Sequence, residues 1–238
     1  MKSYIIALLL LFISVIFLVY IHEPNVKLYH ITIIEEDEPF HPLLEKMSDF
    51  LHRQGNDINI LTCDHLTSEI DRLYDFIYKP SLDQNDIVLF TTADNSVMIQ
   101  SHKEIRKKYK LQQTPILFSG SANLENLENL EKDSFPNLES SMFIGRVWAI
   151  RSCFSGYEKN IETDPNQFWK SAQRRHPGLI KVDTQAQLFL YAEGTDKKDI
   201  HFDRFGGDIH YLKTDSYPYF LCAEDPEYLY TVVSRWKE

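Results

Sequence analysis

Residues 86–100 read DIVLFTTADNSVMIQ: an apolar run, Ile87 to Phe90, climbs straight into the polar cluster Thr91, Thr92, Asp94, Asn95 and Ser96. A buried strand that surfaces at the edge of an α/β sheet has this form, and ligands bind at such edges. A hard divalent cation held there against phosphate wants several oxygen ligands, commonly a pair of carboxylates. Asp94 is the one carboxylate in the cluster. The segment is therefore a metal site, the remnant of one, or a polar strand end.

The flanking sequence puts this strand in a repeating pattern. Upstream, Leu28 to Ile34 reads as a strand that ends in the acids Glu35, Glu36, Asp37 and Glu38. Leu43, Leu44, Met47, Phe50 and Leu51 then recur at helical spacing until Gly55. DINILTC, ending at Cys63, is the next strand, and Ile70, Leu73, Phe76 and Ile77 mark one face of a second helix with Pro80 beyond its end. Downstream come a basic helix, His102 to Lys110, and the strand TPILFSG, closed by Ser119 and Gly120. Strands alternating with helices predict an α/β fold with a mixed, mainly parallel sheet flanked by helices, and DIVLF beside TPILF at its middle.

Farther on, Asn-Leu-Glu recurs with a period of three in ANLENLENLEKDSFPNLE, which predicts a short acidic helix or a surface loop rather than a coiled coil. SSMFIGRVWAI reads as a strand with Gly145 inside it, a sign of close backbone approach or a bend. DTQAQLFLYAEG reads as a helix, and DIHFDRFGGDIHYL as a strand and turn pair.

The N-terminal residues hold an unbroken apolar run from Ile5 to Ile21. As a helix it spans roughly 25 Å at about 1.5 Å per residue, enough for a thin bilayer of the early secretory pathway. No small-x-small cleavage site follows Ile21, so the expectation is a retained signal anchor over residues 5–21. It would follow a cytoplasmic stub, 1–4, and precede a short stem, 22–27, the main domain, 28–226, and a tail, 227–238. Lys2 before the run, with Lys27 partly offset by Glu23 after it, mildly favours a lumenal body and a type II, single-pass membrane protein of the ER or Golgi. Cys63, Cys153 and Cys222 have no metal-ligand spacing and allow at most one disulfide. A formal charge of −10 argues against general affinity for nucleic acid.

Several constellations have bland explanations. The acids Glu35 to Glu38 would repel a diphosphate and suit a solvated loop; the basic cluster at His102–Lys110 suits a solvated helix face. His201 and Asp203 form two-thirds of a facial iron triad, but the last histidine, His210, follows too closely to complete it. Ser119-Gly120-Ser121 lacks the glycine-flanked serine of a hydrolase elbow.

Taken in order, DIVLFTTADNSVM, TPILFSG, SSMFIG, QLFLYA, IHFDRFGGDIHYL and YPYFLCAEDP resemble the N-terminal glycosyltransferase domain of the procollagen lysyl hydroxylases and the related collagen galactosyltransferases. The resemblance covers about residues 28–226. It implies a GT-A-like, Rossmann-type fold that binds a UDP-sugar, with Mn²⁺ bridging the diphosphate to an Asp-x-x-Asp motif and a distant histidine. Matched without a gap, Thr92 and Asn95 stand where the family has its two carboxylates, and Asp94 falls between them. Of the acidic run that the family has before Gln187-Leu188-Phe189 only Asp183 is left, with Ala186 immediately before Gln187, which makes Asp183 the catalytic candidate. Cys222 takes the place of the metal-binding histidine, followed by Glu224 and Asp225 as potential substitute ligands.

The resemblance thus implies a glycosyltransferase-like protein with a degenerate metal site. The alternative is an active galactosyl or glucosyl transferase with a site rebuilt on Glu224 and Asp225, and a non-catalytic relative would instead use this surface for a protein or glycan partner. The oxygenase domain of lysyl hydroxylases has no counterpart in the 238 residues, so lysine hydroxylation is not expected.

Overall fold

The structure, a computed structural model, describes residues 26–36, 42–64, 67–121, 137–159, 164–192, 195–202, 208–223 and 229–230. The apolar run Ile5–Ile21, Asp203, Glu224, Asp225 and all but the end of the Asn-Leu-Glu segment lie outside these residues. Among the described residues, no helix is long and apolar enough to cross a membrane.

The chain order is β1 (Leu28–Glu35), α1 (Pro42–Arg53), β2 (Ile58–Cys63), α2 (Glu69–Ile77), β3 (Ile87–Thr91), β4 (Ser96–Met98), α3 (His102–Leu111), β5 (Ile116–Ser121), β6 (Asn137–Arg146), α4 (Val147–Cys153), α5 (Pro165–Arg175), β7 (Ile180–Val182), β8 (Phe189–Tyr191), β9 (Ile200–Phe202), β10 (Ile209–Tyr211) and β11 (Phe220–Cys222). Six strands form the main sheet in the order β2-β1-β3-β6-β5-β7. Only β6 runs against the others, pairing antiparallel with β3 and β5. The architecture is therefore mixed α/β with a mainly parallel sheet flanked by helices.

All five residues of β3 are buried, as expected of an inner strand covered on both faces. Ile87 and Leu89 pack with Leu44, Met47 and Leu51 of α1 and Ile105 and Tyr109 of α3. Val88 and Phe90 pack on the opposite face with Ile70, Leu73, Phe76 and Ile77 of α2. Phe90, Phe143, Phe118 and Trp169 continue that second core as neighbouring rings 4.9–5.3 Å apart. Local signals end and start the helices. Gly55 takes a left-handed φ of 71° just after α1, and Ser68 and Asp71 form a capping box at the start of α2.

Three expectations are corrected. DIVLF and TPILF both lie inside the sheet but are not adjacent, because β6 pairs with each of them and separates them. The strand read into SSMFIGRVWAI stops at Arg146, and Val147 to Cys153 form α4. DTQAQLFLYAEG is not a helix: Asp183 opens a turn that passes through Ala186 at a left-handed φ of 48°, and Phe189 to Tyr191 form β8. The other reading of Gly145 holds, since a Cβ there would meet Ile116 Cγ1 at 3.0 Å and Ile150 Cδ1 at 3.3 Å.

A second sheet, β4-β11-β8, leans on the first, and β9 pairs antiparallel with β10. In the second sheet β11 runs antiparallel to β4 and parallel to β8. This arrangement brings the C-terminal part of the chain back to the end of β3.

Candidate functional site

From β1 the chain passes to β2 on one side and then to β3 on the other, so the β1/β3 boundary is a switch in winding direction. Crevices at the carboxyl ends of strands at such a point are the usual ligand sites of open α/β sheets. Thr91 ends β3 there, and residues 92–95 form the link to β4.

The link is held by its own polar groups. The Thr92 hydroxyl donates to Asn95 Oδ1, and the Ser96 hydroxyl donates to the Thr92 carbonyl over 2.5 Å. The Thr92 N–H donates to the Ser141 carbonyl of β6 at 3.0 Å, which continues the β3/β6 pairing beyond the strand end. The antiparallel register of β4 and β11 sets Cys222 opposite Ser96. Its thiol donates to Asn95 Oδ1 at 3.4 Å and lies 3.9 Å from Ser141 Oγ. The Ala223 N–H donates to the Asn95 carbonyl at 3.0 Å.

Thr92 and Asn95 thus form one seam with Cys222, which lies 127 residues beyond Asn95 in sequence. Asn95 Oδ1 is its centre, taking a hydroxyl donor and a thiol donor on the two lone pairs of an amide oxygen. Asp94 stays exposed beside it. Glu224 and Asp225 follow Ala223 in sequence but lie outside the described residues.

Asp183 follows β7 at the same carboxyl edge of the sheet but serves the backbone. It is 4% exposed. Its Oδ1 accepts from the Gln187 N–H at 2.8 Å, and its Oδ2 accepts from the N–H groups of Leu188 and Phe189 at 2.6 and 2.9 Å. Burial pushes its carboxyl above the ordinary aspartate range, opposed by those three N–H groups and by Lys108. The carboxylate that the sequence nominated for catalysis therefore holds the turn that feeds β8.

A Mn²⁺ ion does not fit this donor set as it stands. The seam offers a hydroxyl, an amide oxygen and a thiol already hydrogen-bonded to one another, where a hard cation prefers anionic oxygens. Among the described residues no group of three His, Cys, Asp or Glu side chains is arranged to hold a metal. Cys63, Cys153 and Cys222 are buried thiols outside any disulfide; burial pushes the Cys63 thiol up to about 11 and that of Cys153 up to about 12.

Sequence reasoning passed over Ser141, whose carbonyl fixes Thr92 and whose hydroxyl faces Cys222. The paired serines Ser140-Ser141, polar residues in an otherwise apolar strand, are the signal that marks it. It also passed over His30 and counted His102 with a solvated helix face, whereas the two are a buried pair beneath the same strand end.

No family profile matches the sequence, and no curated protein does so. Among solved structures the chain is similar to the galactosyltransferase LgtC in complex with donor and acceptor sugar analogues. The TM-score is 0.44 at 7% identity over 86% of this chain and 95% of that one. It is also similar to a glycosyltransferase involved in glycosylation of the major capsid of PBCV-1, with a TM-score of 0.48 at 11% identity over 88% of this chain and 100% of that one. Neither likeness carries a residue role across.

Proposed function

We propose that this is a glycosyltransferase-like protein of the GT-A type, akin to the glycosyltransferase domain of lysyl hydroxylases, whose metal site is degenerate. On this reading it binds a UDP-sugar with Mn²⁺ weakly or not at all. The ordered motifs from DIVLFTTADNSVM to YPYFLCAEDP support the relationship. The observation that carries the degenerate reading is the seam itself: the positions matched to two carboxylates and a histidine are Thr92, Asn95 and Cys222, and their donors converge on Asn95 Oδ1. Losing two charged metal contacts of about 1.5–3 kcal/mol each lowers affinity by roughly two decades or more. The surface would then serve a protein or glycan partner. The apolar run Ile5–Ile21 supports a membrane-anchored protein with its body in the lumen of the ER or Golgi.

The test is to rebuild the site. Thr92→Asp with Asn95→Asp, and the same pair with Cys222→His, should gain Mn²⁺-dependent UDP binding by calorimetry that the unaltered protein lacks. Folded variants that bind UDP no better than the unaltered protein would sink the reading that these positions are a former metal site.

A further inference from the structure

Two histidines meet beneath the end of β3, away from the seam's own atoms. His30 in β1 is fully buried and His102, the first residue of α3, is 6% exposed. His102 Nε2 lies 3.4 Å from His30 Nδ1, and His30 Nε2 lies 2.9 Å from the Thr91 hydroxyl oxygen. The rings are 5.5 Å apart, edge to face. One nitrogen of the facing pair must donate and the other accept. The contact therefore tolerates no more than one added proton, and doubly protonated rings would turn N–H against N–H.

Among the described residues no carboxylate acts on either ring; the charged groups around the start of α3 include Asp208, which accepts from Gln100 at 2.5 Å, and Lys108, which faces Asp183 and Asp208. On β1 the next residue of the same face, Thr32, is a buried hydroxyl with no partner among the described residues. On β3 the pair meets only the Thr91 hydroxyl, and on β4 the Ser96 hydroxyl is given to the Thr92 carbonyl. Helix α3 turns Ile105 and Tyr109 inward, and Tyr109 donates its hydroxyl to the Pro115 carbonyl. Arg106 reaches the Val26 carbonyl, Glu104 pairs with Lys107 at the surface, and Lys103 is exposed. On α1 the inward residues are Leu44, Met47 and Leu51; Glu45, Asp49, His52 and Arg53 are exposed, and Lys46 lies over the Tyr230 ring.

Position adds to burial. A positive charge on the first residue of a helix opposes the helix dipole. We propose that the His30–His102 pair is a proton-operated latch, closed at neutral pH and opened by mild acid, which ties the start of α3 to the end of β3. Burial holds the His102 imidazole down at about 4. Burial and the neighbouring ring hold His30 well below its ordinary range. Once the latch opens, His102 can turn to water and take a proton at its normal affinity. Acid therefore favours the open form, releasing Thr91 immediately before the seam.

The inference stands whether or not the seam was ever a metal site. Its test is hydrogen exchange of the full chain in detergent at pH 7.5 and 5.5, corrected for the intrinsic exchange rate. Releasing one histidine from about 4 to about 6.5 raises the open population about tenfold across that interval. Protection of residues 96–108 should fall by about that factor and recover on return to neutral pH. His102→Gln, whose amide can donate or accept near the Nε2 position, should abolish the dependence. Equal protection at both pH values, or a loss that persists in both His102→Gln and His30→Gln, overturns the proposal. Imidazole NMR titration of the unaltered protein needs no variant: the ring of His102 titrating near 6.5 also overturns it.

Discussion

Replacing Asp183 by Asn separates a structural carboxylate from a catalytic one. Asp183 is 4% exposed and accepts three backbone N–H groups, two of them on Oδ2. The asparagine oxygen can keep the Leu188 and Phe189 contacts, which leaves its NH₂ facing the Gln187 N–H. One buried donor is then unsatisfied, at about 1–3 kcal/mol, and the remaining bonds lose the strength that charge confers. A total near 2 kcal/mol corresponds to a fall of about 4–8 °C in Tm for a domain of this size. Asp183→Ala, which orphans all three N–H groups around the turn at Ala186, should cost about 3 kcal/mol or more. Urea unfolding followed by tryptophan fluorescence reads both, with the midpoint falling at an unchanged m-value. If Asp183→Asn shifts stability by less than about 0.5 kcal/mol, the turn does not depend on this carboxylate and the reasoning fails.

Gly145→Ala should cost about 1–3 kcal/mol, because the added methyl meets Ile116 at 3.0 Å and Ile150 at 3.3 Å inside a packed sheet; an unchanged urea midpoint would contradict this. The His102 ring gives a pH signature of definite sign. Its folded value, about 4, lies below the unfolded 6.5, so its contribution is present above pH 6.5 and is lost as pH falls toward 4. Between those limits the unaltered protein should lose about 3 kcal/mol more stability than His102→Gln, by denaturant melts at stepped pH; parallel profiles would refute it. In cells the full chain should resist carbonate extraction and keep its first residues, whereas a mature terminus near His22 would remove the anchor.

What the sequence made legible follows from the length of its periodic segments. α1 and α2 each carry several apolar residues on one face, and β1, β2, β3 and β5 stand between clear turn signals, so periodicity locates them. The strands of the second sheet, β4, β8 and β11, have three residues each, too few to show a period of two. β8 was further hidden because its approach turns at Ala186, a residue that gives no turn signal. β6 escaped as a partner between β3 and β5 because hydrophobic pattern fixes which residues are buried, not which strands are neighbours. The polar end of an apolar run was enough to pick out Thr92 and Asn95, and only the family resemblance lined Cys222 up with them. The pairing of Cys222 with Ser96 across β11 and β4 is what joins them in space. Asp183 was named by the same resemblance, and its burial under three N–H groups could not be read from a lone acid in a polar stretch.

On the proposed reading, Thr92, Asn95 and Cys222 satisfy one another where a metal-bound nucleotide would need anionic ligands. Calorimetric titration of UDP into the whole 238-residue chain, with and without Mn²⁺, decides this. No Mn²⁺-dependent binding in the micromolar range is expected. Micromolar UDP binding that requires Mn²⁺ and disappears in Asp94→Ala would contradict it and make Asp94 a metal ligand. The same binding lost instead in Glu224→Ala and Asp225→Ala would also contradict it, placing a working site on the segment that follows Ala223.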